Sequence, residues 1–206
     1  MMKMSVALAN PVPHRLFPSW LGGEHAAGLL SYAAAAEARF EPAGIGGADH
    51  GEGRKIDPSF RRSLRLRDLG PFGRLLHDRA LVLQGELETA FGMGHTTANE
   101  AEIELVAHGD GAFYRSHIDT FTGDGITDPT NRRLSLVYYL HNRPRRFTGG
   151  NLRLFALGSR QATAIEPVHD TLLAFPSFLP HEVEPVSCSG GSFIDGRFAV
   201  NIWLRG

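Results

Sequence analysis

Two periodicities divide the chain. From Leu21 to Phe40 (LGGEHAAGLLSYAAAAEARF) the run is Ala-rich, and Leu29, Leu30, Ala33 and Ala34 recur at helical spacing after Gly22 and Gly23, which predicts a first helix. The Gly-rich stretch EPAGIGGADHGEGRKIDPSF reads as loops around one possible strand. In FRRSLRLRDLG, Leu64 and Leu66 alternate with Arg65 and Arg67, the pattern of a half-buried strand whose charged face meets solvent. A second helix is expected over DLGPFGRLLHDRALVLQGELETAFG, where Pro71 suits a helix start and Phe72, Leu75, Leu76, Leu83 and Leu87 make an apolar stripe. After residue 99 the pattern changes to short strand-like runs: EIELVAH, AFYRSHIDTF, RRLSLVYYLH, NLRLFAL, HDTLLAFP, HEVEPV and RFAVNIWLR. Many short strands separated by turns imply a sandwich or barrel rather than a parallel α/β sheet.

Length and composition narrow this picture. With 206 residues the chain fits one domain, residues 1–98 forming a helix-rich support and 99–206 a β core. Hydrophobic residues at 42% and charged residues at 21% fit a globular protein, and a net charge of -1 gives no reason to seek phosphate backbones, so no nucleic-acid partner is expected. Cys188 is the single cysteine and cannot form an internal disulfide, which makes a reducing cytoplasm the default. At the start, MMKMSVALANPVPHRLF is interrupted by Asn10, Pro11 and Pro13 before a signal-peptide core is complete, and no apolar run is long enough to span a bilayer. A membrane role is therefore not expected.

The candidate chemistry begins at HID, His117 to Asp119. On a strand, side chains two residues apart point to one face, so His117 and Asp119 would aim at one point. A third candidate ligand, His181, follows sixty-two residues after Asp119. Two histidines and one carboxylate hold one face of an octahedral metal and leave the other open, as in non-heme Fe(II) oxygenases. The pair alone is weak, because a histidine and an aspartate so spaced also arise as satisfied polar groups of a sheet.

The wider pattern is more demanding. HIDTFTGDG, RLSLVYYLH, FTGGNLRLF, IEPVHDTLLAFPS, PHEVEPV and RFAVNIW follow the order found in the prolyl-hydroxylase branch of the 2-oxoglutarate- and Fe(II)-dependent oxygenases, and the chain resembles the hypoxia-sensing prolyl hydroxylases and their bacterial relatives over about residues 105–204. The resemblance implies a mainly β fold with flanking helices, a double-stranded β-helix (jelly-roll) core on N-terminal supporting helices. It implies Fe(II) held by His117, Asp119 and His181, with 2-oxoglutarate and O2 as cosubstrates and ascorbate as a reductant. Arg197 matches the residue that holds the far carboxylate of 2-oxoglutarate, a role its planar fork suits. Tyr139, second of the pair in VYYLH, matches a tyrosine that binds the same carboxylate, while Tyr138 should face the opposite side. Asn201 matches a threonine beside the cosubstrate and can still donate a hydrogen bond; alternation puts Arg197, Ala199, Asn201 and Trp203 on one face. Tyr114 resembles a tyrosine near the substrate entrance. The implied reaction hydroxylates an unactivated C–H bond and releases succinate and CO2, and the carboxylate of Asp119 argues against halogenation.

Two departures stand out. Sixteen residues separate His181 from Arg197, with SCSGGSFIDG enlarging the connection; a register shift of one residue there would turn Arg197 away from the pocket. Counted back from Tyr114 without a gap, Ala107 stands where the hypoxia-type enzymes have another active-site tyrosine. His77, His95, His108, His141 and His169 read as surface or core polar residues, and Gly149 and Gly150 as a turn rather than a phosphate loop. The loop Thr120 to Asn131, with Gly123, Gly125 and Pro129, is expected to close over the substrate, Asp124 and Asp128 facing basic partners. Peptidyl proline leads as substrate, beside a free amino acid or small natural product. A non-catalytic β-barrel interaction module and a cupin-type zinc or manganese enzyme are the rival classes.

Overall fold

The computed structural model describes residues 12–45, 55–96, 100–122, 131–188 and 190–206. The N-terminal half supplies β1 (Arg15–Pro18), α1 (Gly23–Ala35), β2 (Glu41–Pro42), β3 (Arg61–Arg62), β4 (Leu64–Leu66), α2 (Phe72–Val82) and α3 (Gln84–Ala90). The second half follows as β5 (Ala101–His108), β6 (Phe113–His117), β7 (Arg132–Leu140), β8 (Thr148–Gly149), β9 (Leu152–Phe155) and β10 (Ala162–Ile165). It ends with β11 (Thr171–Pro176), β12 (His181–Val183), β13 (Val186–Ser187) and β14 (Arg197–Arg205). A seven-stranded antiparallel sheet runs in the order β1-β11-β7-β14-β5-β4-β2, and a five-stranded one in the order β10-β9-β12-β6-β3. Strands β13 and β8 pair separately. This is the double-stranded β-helix that the sequence implies.

The two central strands explain the layering. Along β14, Phe198, Val200, Ile202 and Leu204 join the buried cluster that includes Leu29 of α1, Leu76 of α2 and Leu87 of α3. The alternate residue Ala199 joins a second cluster with Val137, Tyr139, Leu152, Leu154, Leu173 and Phe175. Strand β7 divides in the same way, Leu134, Leu136, Tyr138 and Leu140 on the helix side and Val137 and Tyr139 on the other. A strand covered on both faces needs apolar residues at successive positions, which is why LSLVYYL and RFAVNIWL read as nearly continuous apolar runs. The Tyr138 hydroxyl donates to Asp170 Oδ1 at 2.7 Å, on the side away from Tyr139.

The helical stripes of α1 and α2 pack as expected. The second helix is two, however: Leu83 N donates to Ala80 O, three residues back, so the chain tightens there between α2 and α3. A larger correction concerns FRRSLRLRDLG. Arg65 is buried and Leu64 is the exposed residue of β4, so Arg65 leaves the solvated face, while Arg67 is exposed as expected. The cause is a carboxylate inside: Glu104 of β5, 4% exposed, receives Arg61 Nη2 at 3.1 Å. Arg65 bonds outward to Glu41 at 2.8 Å and stands 4.0 Å from Glu104. Alternation predicts which residues share a face, but not that the inward face here is polar.

Candidate active site

Strands β6 and β12 of the smaller sheet lie side by side, and His117 pairs directly across from His181. Their rings are 4.2 Å apart between centroids. Asp119 lies beyond the end of β6, so its shared direction with His117 does not come from strand alternation. A turn sets it instead, in which Asp119 N and Thr120 N both donate to Ser177 O, at 2.9 and 3.2 Å. The result is a triangle. His117 Nε2 is 3.6 Å from Asp119 Oδ1, His181 Nε2 is 3.4 Å from Asp119 Oδ2, and candidate ligand atoms of the three residues all lie within 4.8 Å of one another. Three donors meeting a metal at right angles with bonds of about 2 Å would stand roughly 3 Å apart, so the triangle fits an ion after a small contraction.

Both imidazoles are already in the ligand tautomer. His117 Nδ1 lies 2.8 Å from Arg115 O, and His181 Nδ1 3.0 Å from Leu179 O. A carbonyl only accepts, so each Nδ1 carries the proton and each Nε2 keeps its lone pair for a metal. Burial, with the nearby His181, holds His117 well below the usual histidine pKa and so neutral. For Asp119 burial acts the other way, but electrostatic interactions with the His181 and His117 rings and with Arg132, and a hydrogen bond from Ser135, outweigh it, keeping the carboxyl below its usual range.

Ser135 was not legible as a site residue. Its hydroxyl donates to Asp119 Oδ2 at 2.6 Å and stands 2.8 Å from the fully buried Ser177 Oγ, a two-serine brace behind the carboxylate. By fixing Oδ2 it decides which oxygen stays free. Ser135→Ala should therefore weaken Mn(II) or Fe(II) binding by about 10- to 100-fold, the usual effect of losing a hydrogen-bonding partner behind a ligand. Ser135→Thr should restore it, and a calorimetric titration of the two variants checks both.

Deeper between the sheets lie the groups expected to hold a dicarboxylate. Arg197, 1% exposed, opens β14 opposite His108, and its Cζ is 5.1 Å from the centre of the Tyr139 ring. The enlarged connection before it thus leaves the register intact. Apart from their contact with one another, the buried Tyr139 hydroxyl and Arg197 Nε and Nη2 have no hydrogen-bond partner among the described residues. Burial lowers the Arg197 pKa from its ordinary value and raises that of Tyr139 to about 12, so the one stays a cation and the other a neutral donor. A buried cation beside an unpaired hydroxyl fits an anionic ligand that accepts from both. Gly150, at φ +68°, packs flat on Arg197: a Cβ there would stand 2.8 Å from Arg197 Cδ. Gly149 ends β8 opposite Val186 rather than lying in a turn, and Gly150 after it makes room for this arginine on the way into β9.

The remaining expectations divide. Tyr114 stacks on His117, ring centroids 3.6 Å apart, and Arg61 packs on Tyr114 with Cζ 4.6 Å from the ring centre. Asn201 is half-buried and its amide reaches Glu104 Oε1 at 3.4 Å. Trp203, on the same face, lies under Arg132 at 3.8 Å, and Glu102 holds Arg132 through both of its oxygens. Ala107 belongs to the helix-side core. His108, next along β5, is the residue beside Arg197. The loop holding Gly123, Asp124, Gly125, Asp128 and Pro129 lies outside the described residues, as does the start through Pro11. Among the described residues no helix is long and apolar enough to cross a membrane.

Comparison with known proteins agrees with this geometry. An uncharacterized PKHD-type hydroxylase of Synechocystis is 35% identical over 114 residues, 52% of this chain and 36% of that protein. Egl nine homolog 1 of Rattus norvegicus is 36% identical over 98 residues, 46% of this chain and 25% of that protein. The chain thus spans about a third or less of the length of these relatives. Among solved structures, a Pseudomonas putida prolyl-4-hydroxylase superposes with a TM-score of 0.66 at 22% identity, covering 93% of this chain and 91% of that one. A Trichoplax adhaerens prolyl hydroxylase, solved with a peptide fragment of the oxygen degradation domain of hypoxia inducible factor, gives 0.65 at 19% identity over 93% and 83%. These likenesses show the shared fold. Residues 103–205 match the model of the 2OG-Fe(II) oxygenase superfamily, and because that span is half of the chain and carries all three corners of the triangle, this protein belongs to that superfamily.

Proposed function

We propose that this chain is a 2-oxoglutarate- and Fe(II)-dependent hydroxylase acting on an unactivated C–H bond, with a prolyl residue of a protein or peptide as the leading substrate. The observation that carries it is the coexistence of two unmet needs among the described residues: a triangle of free metal donors, and a buried guanidinium edge (Nε and Nη2) and phenol hydroxyl with no third group to bind. A zinc hydrolase would use the first and have no need of the second.

When bound, the iron with 2-oxoglutarate and dioxygen supplies the oxidation, the oxo acid becoming succinate and CO2 as one oxygen atom enters the substrate. The protein's own residues supply position. His117, Asp119 and His181 would hold the ion, and three protein donors would leave positions for exchangeable ligands. Arg197 and Tyr139 bind the far carboxylate, fixing the cosubstrate's direction. Tyr114, stacked on His117 and backed by Arg61, keeps that imidazole from rotating and walls one side of the cavity. The peptide-bound structural neighbour supports a polypeptide substrate, and the viral collagen prolyl hydroxylase among the solved structures agrees with it.

Turnover with Fe(II), ascorbate and 2-oxoglutarate, offered a panel of proline-containing peptides and free amino acids, tests each level. The expected result is succinate together with a gain of one oxygen on a peptide proline. Oxygen gained only by free amino acids would replace the substrate, and absence of succinate under every condition would remove the reaction class.

A further inference from the structure

We propose that Arg61, supplied by the N-terminal half of the chain, is a positioning residue for the metal ligand His117 and acts on it through the Tyr114 ring. This rests on the metal-site reading above and extends it to a strand outside the span that matches the superfamily. Two of the contacts that restrain His117 lead back to residues 57–61. The first is the hydrogen bond from its Nδ1 to Arg115 O. Arg115 is in turn tied down, its N donating to Phe60 O at 2.9 Å and its Nε to Ser59 O at 2.7 Å. The second is the stacked Tyr114 ring, 3.6 Å away and inclined by 21°. Tyr114 pairs across the ladder with Arg61, whose Cζ is 4.6 Å from its centre, and the Phe60 ring meets it edge-on at 6.0 Å. Residues 57–61 are themselves closed into a turn: Ser59 N and Oγ both donate to Asp57 Oδ1, and Phe60 N and Arg61 N to Asp57 O.

The guanidinium that presses on this ring is held rigidly. Arg61 is 7% exposed, and its Nε donates to Ser63 Oγ at 3.0 Å, Nη1 to Gly44 O at 3.1 Å and Nη2 to Glu104 Oε1 at 3.1 Å. The N–H bonds of a guanidinium lie in its plane, so acceptors on three separate stretches of chain set the angle of that plane. What remains for Tyr114 is the flat face. A guanidinium carbon 4.6 Å from a ring centre lies over the ring rather than at its rim, the geometry of a cation–π contact. The chain of contacts from Glu104 through Arg61 and Tyr114 to His117 is therefore continuous, and a tilt of Arg61 is passed to the imidazole.

The test is the Mn(II) affinity of the full chain, measured by calorimetry over a double-mutant cycle. Arg61→Lys leaves a cation beside Glu104 but removes the flat face, and Tyr114→Leu removes the ring through which it acts. We expect Arg61→Lys to weaken Mn(II) binding by roughly 10-fold when Tyr114 is present, the lower end for partners behind a metal ligand. In the Tyr114→Leu background the same substitution should change affinity by less than about 2-fold, because the link is already gone. Arg65→Lys is the control. Arg65 stands 4.0 Å from the same carboxylate, on a strand that pairs with β2 and β5 rather than β6, and its substitution should leave Mn(II) affinity unchanged. Ser63→Ala keeps the Arg61 charge and frees only its Nε, so it should weaken Mn(II) in the same direction by a smaller factor, and it carries the test if Arg61→Lys does not fold. Equal losses with and without Tyr114, equal losses in Arg61→Lys and Arg65→Lys, or wild-type affinity in either Arg61→Lys or Ser63→Ala overturns the role of Arg61. Wild-type Mn(II) affinity in His117→Ala overturns the metal-site reading itself.

Discussion

His117→Ala should reduce Fe(II)-dependent succinate formation to background. It removes one of three donors from a triangle that has no fourth histidine, cysteine or carboxylate among the described residues to replace it. The loss should exceed the 10- to 100-fold typical of partners behind a ligand, because the remaining pair, His181 and Asp119, leaves the ion held at two corners only. The effect on folding should be smaller. His117 stacks on Tyr114, but its hydrogen bond goes to the carbonyl of Arg115, two residues away, rather than to a distant element. His77→Ala is the matched control, since that imidazole sits on α2, outside the triangle, and bonds Asp78. Fe(II) titration with succinate measured by mass spectrometry reads both outcomes. Wild-type turnover in His117→Ala would mean that the metal binds elsewhere, and the whole reading of the cavity would fall with it.

The parts of this fold that were legible share a cause. Strands β7 and β14 are long, buried on both faces and almost uniformly apolar, so their side chains announce them. Strands β8 and β13 are two residues each, and β1 and β10 four; their backbone pairing satisfies N–H and C=O groups without needing any side-chain pattern. The metal corners were legible because a ligand must be His or Asp, whatever surrounds it. Ser135 was not, because within LSLV a serine reads as strand filler until a carboxylate is found against it. Arg65 misled for the converse reason: an arginine is usually solvated, and its burial between Glu41 and Glu104 depends on two other strands.

Arg197→Met should make the ligand-free protein more stable and the cosubstrate-bound protein less so. In the free protein the guanidinium is a buried cation with Nε and Nη2 unpaired and no carboxylate bonded to it, an arrangement that opposes folding. Methionine fills much the same length with no charge. Apolar replacement of buried ions commonly stabilises by about 1–4 kcal/mol, and the orphaning of His108 Nδ1 subtracts roughly 1 kcal/mol from that. A net gain near 1 kcal/mol corresponds to a rise of about 2–4 °C in melting temperature for a chain of this size. The bound state reverses the order. Without the cation the far carboxylate would enter a dry cavity unpaired, so affinity for 2-oxoglutarate should fall by about 2–5 kcal/mol, roughly 30- to several-thousandfold. Wild-type protein with Mn(II) and cosubstrate at 100 times its dissociation constant gains about 2.7 kcal/mol, while the variant at the same concentration gains little. The melting curves of the two proteins should therefore cross as 2-oxoglutarate is added, the variant melting higher at zero ligand and the wild type higher at saturation. Arg197→Lys keeps a charge but loses the fork, and should follow the variant in affinity without its gain in stability. Parallel curves, with equal ligand-induced shifts in wild type and Arg197→Met, would mean that the dicarboxylate never meets this guanidinium.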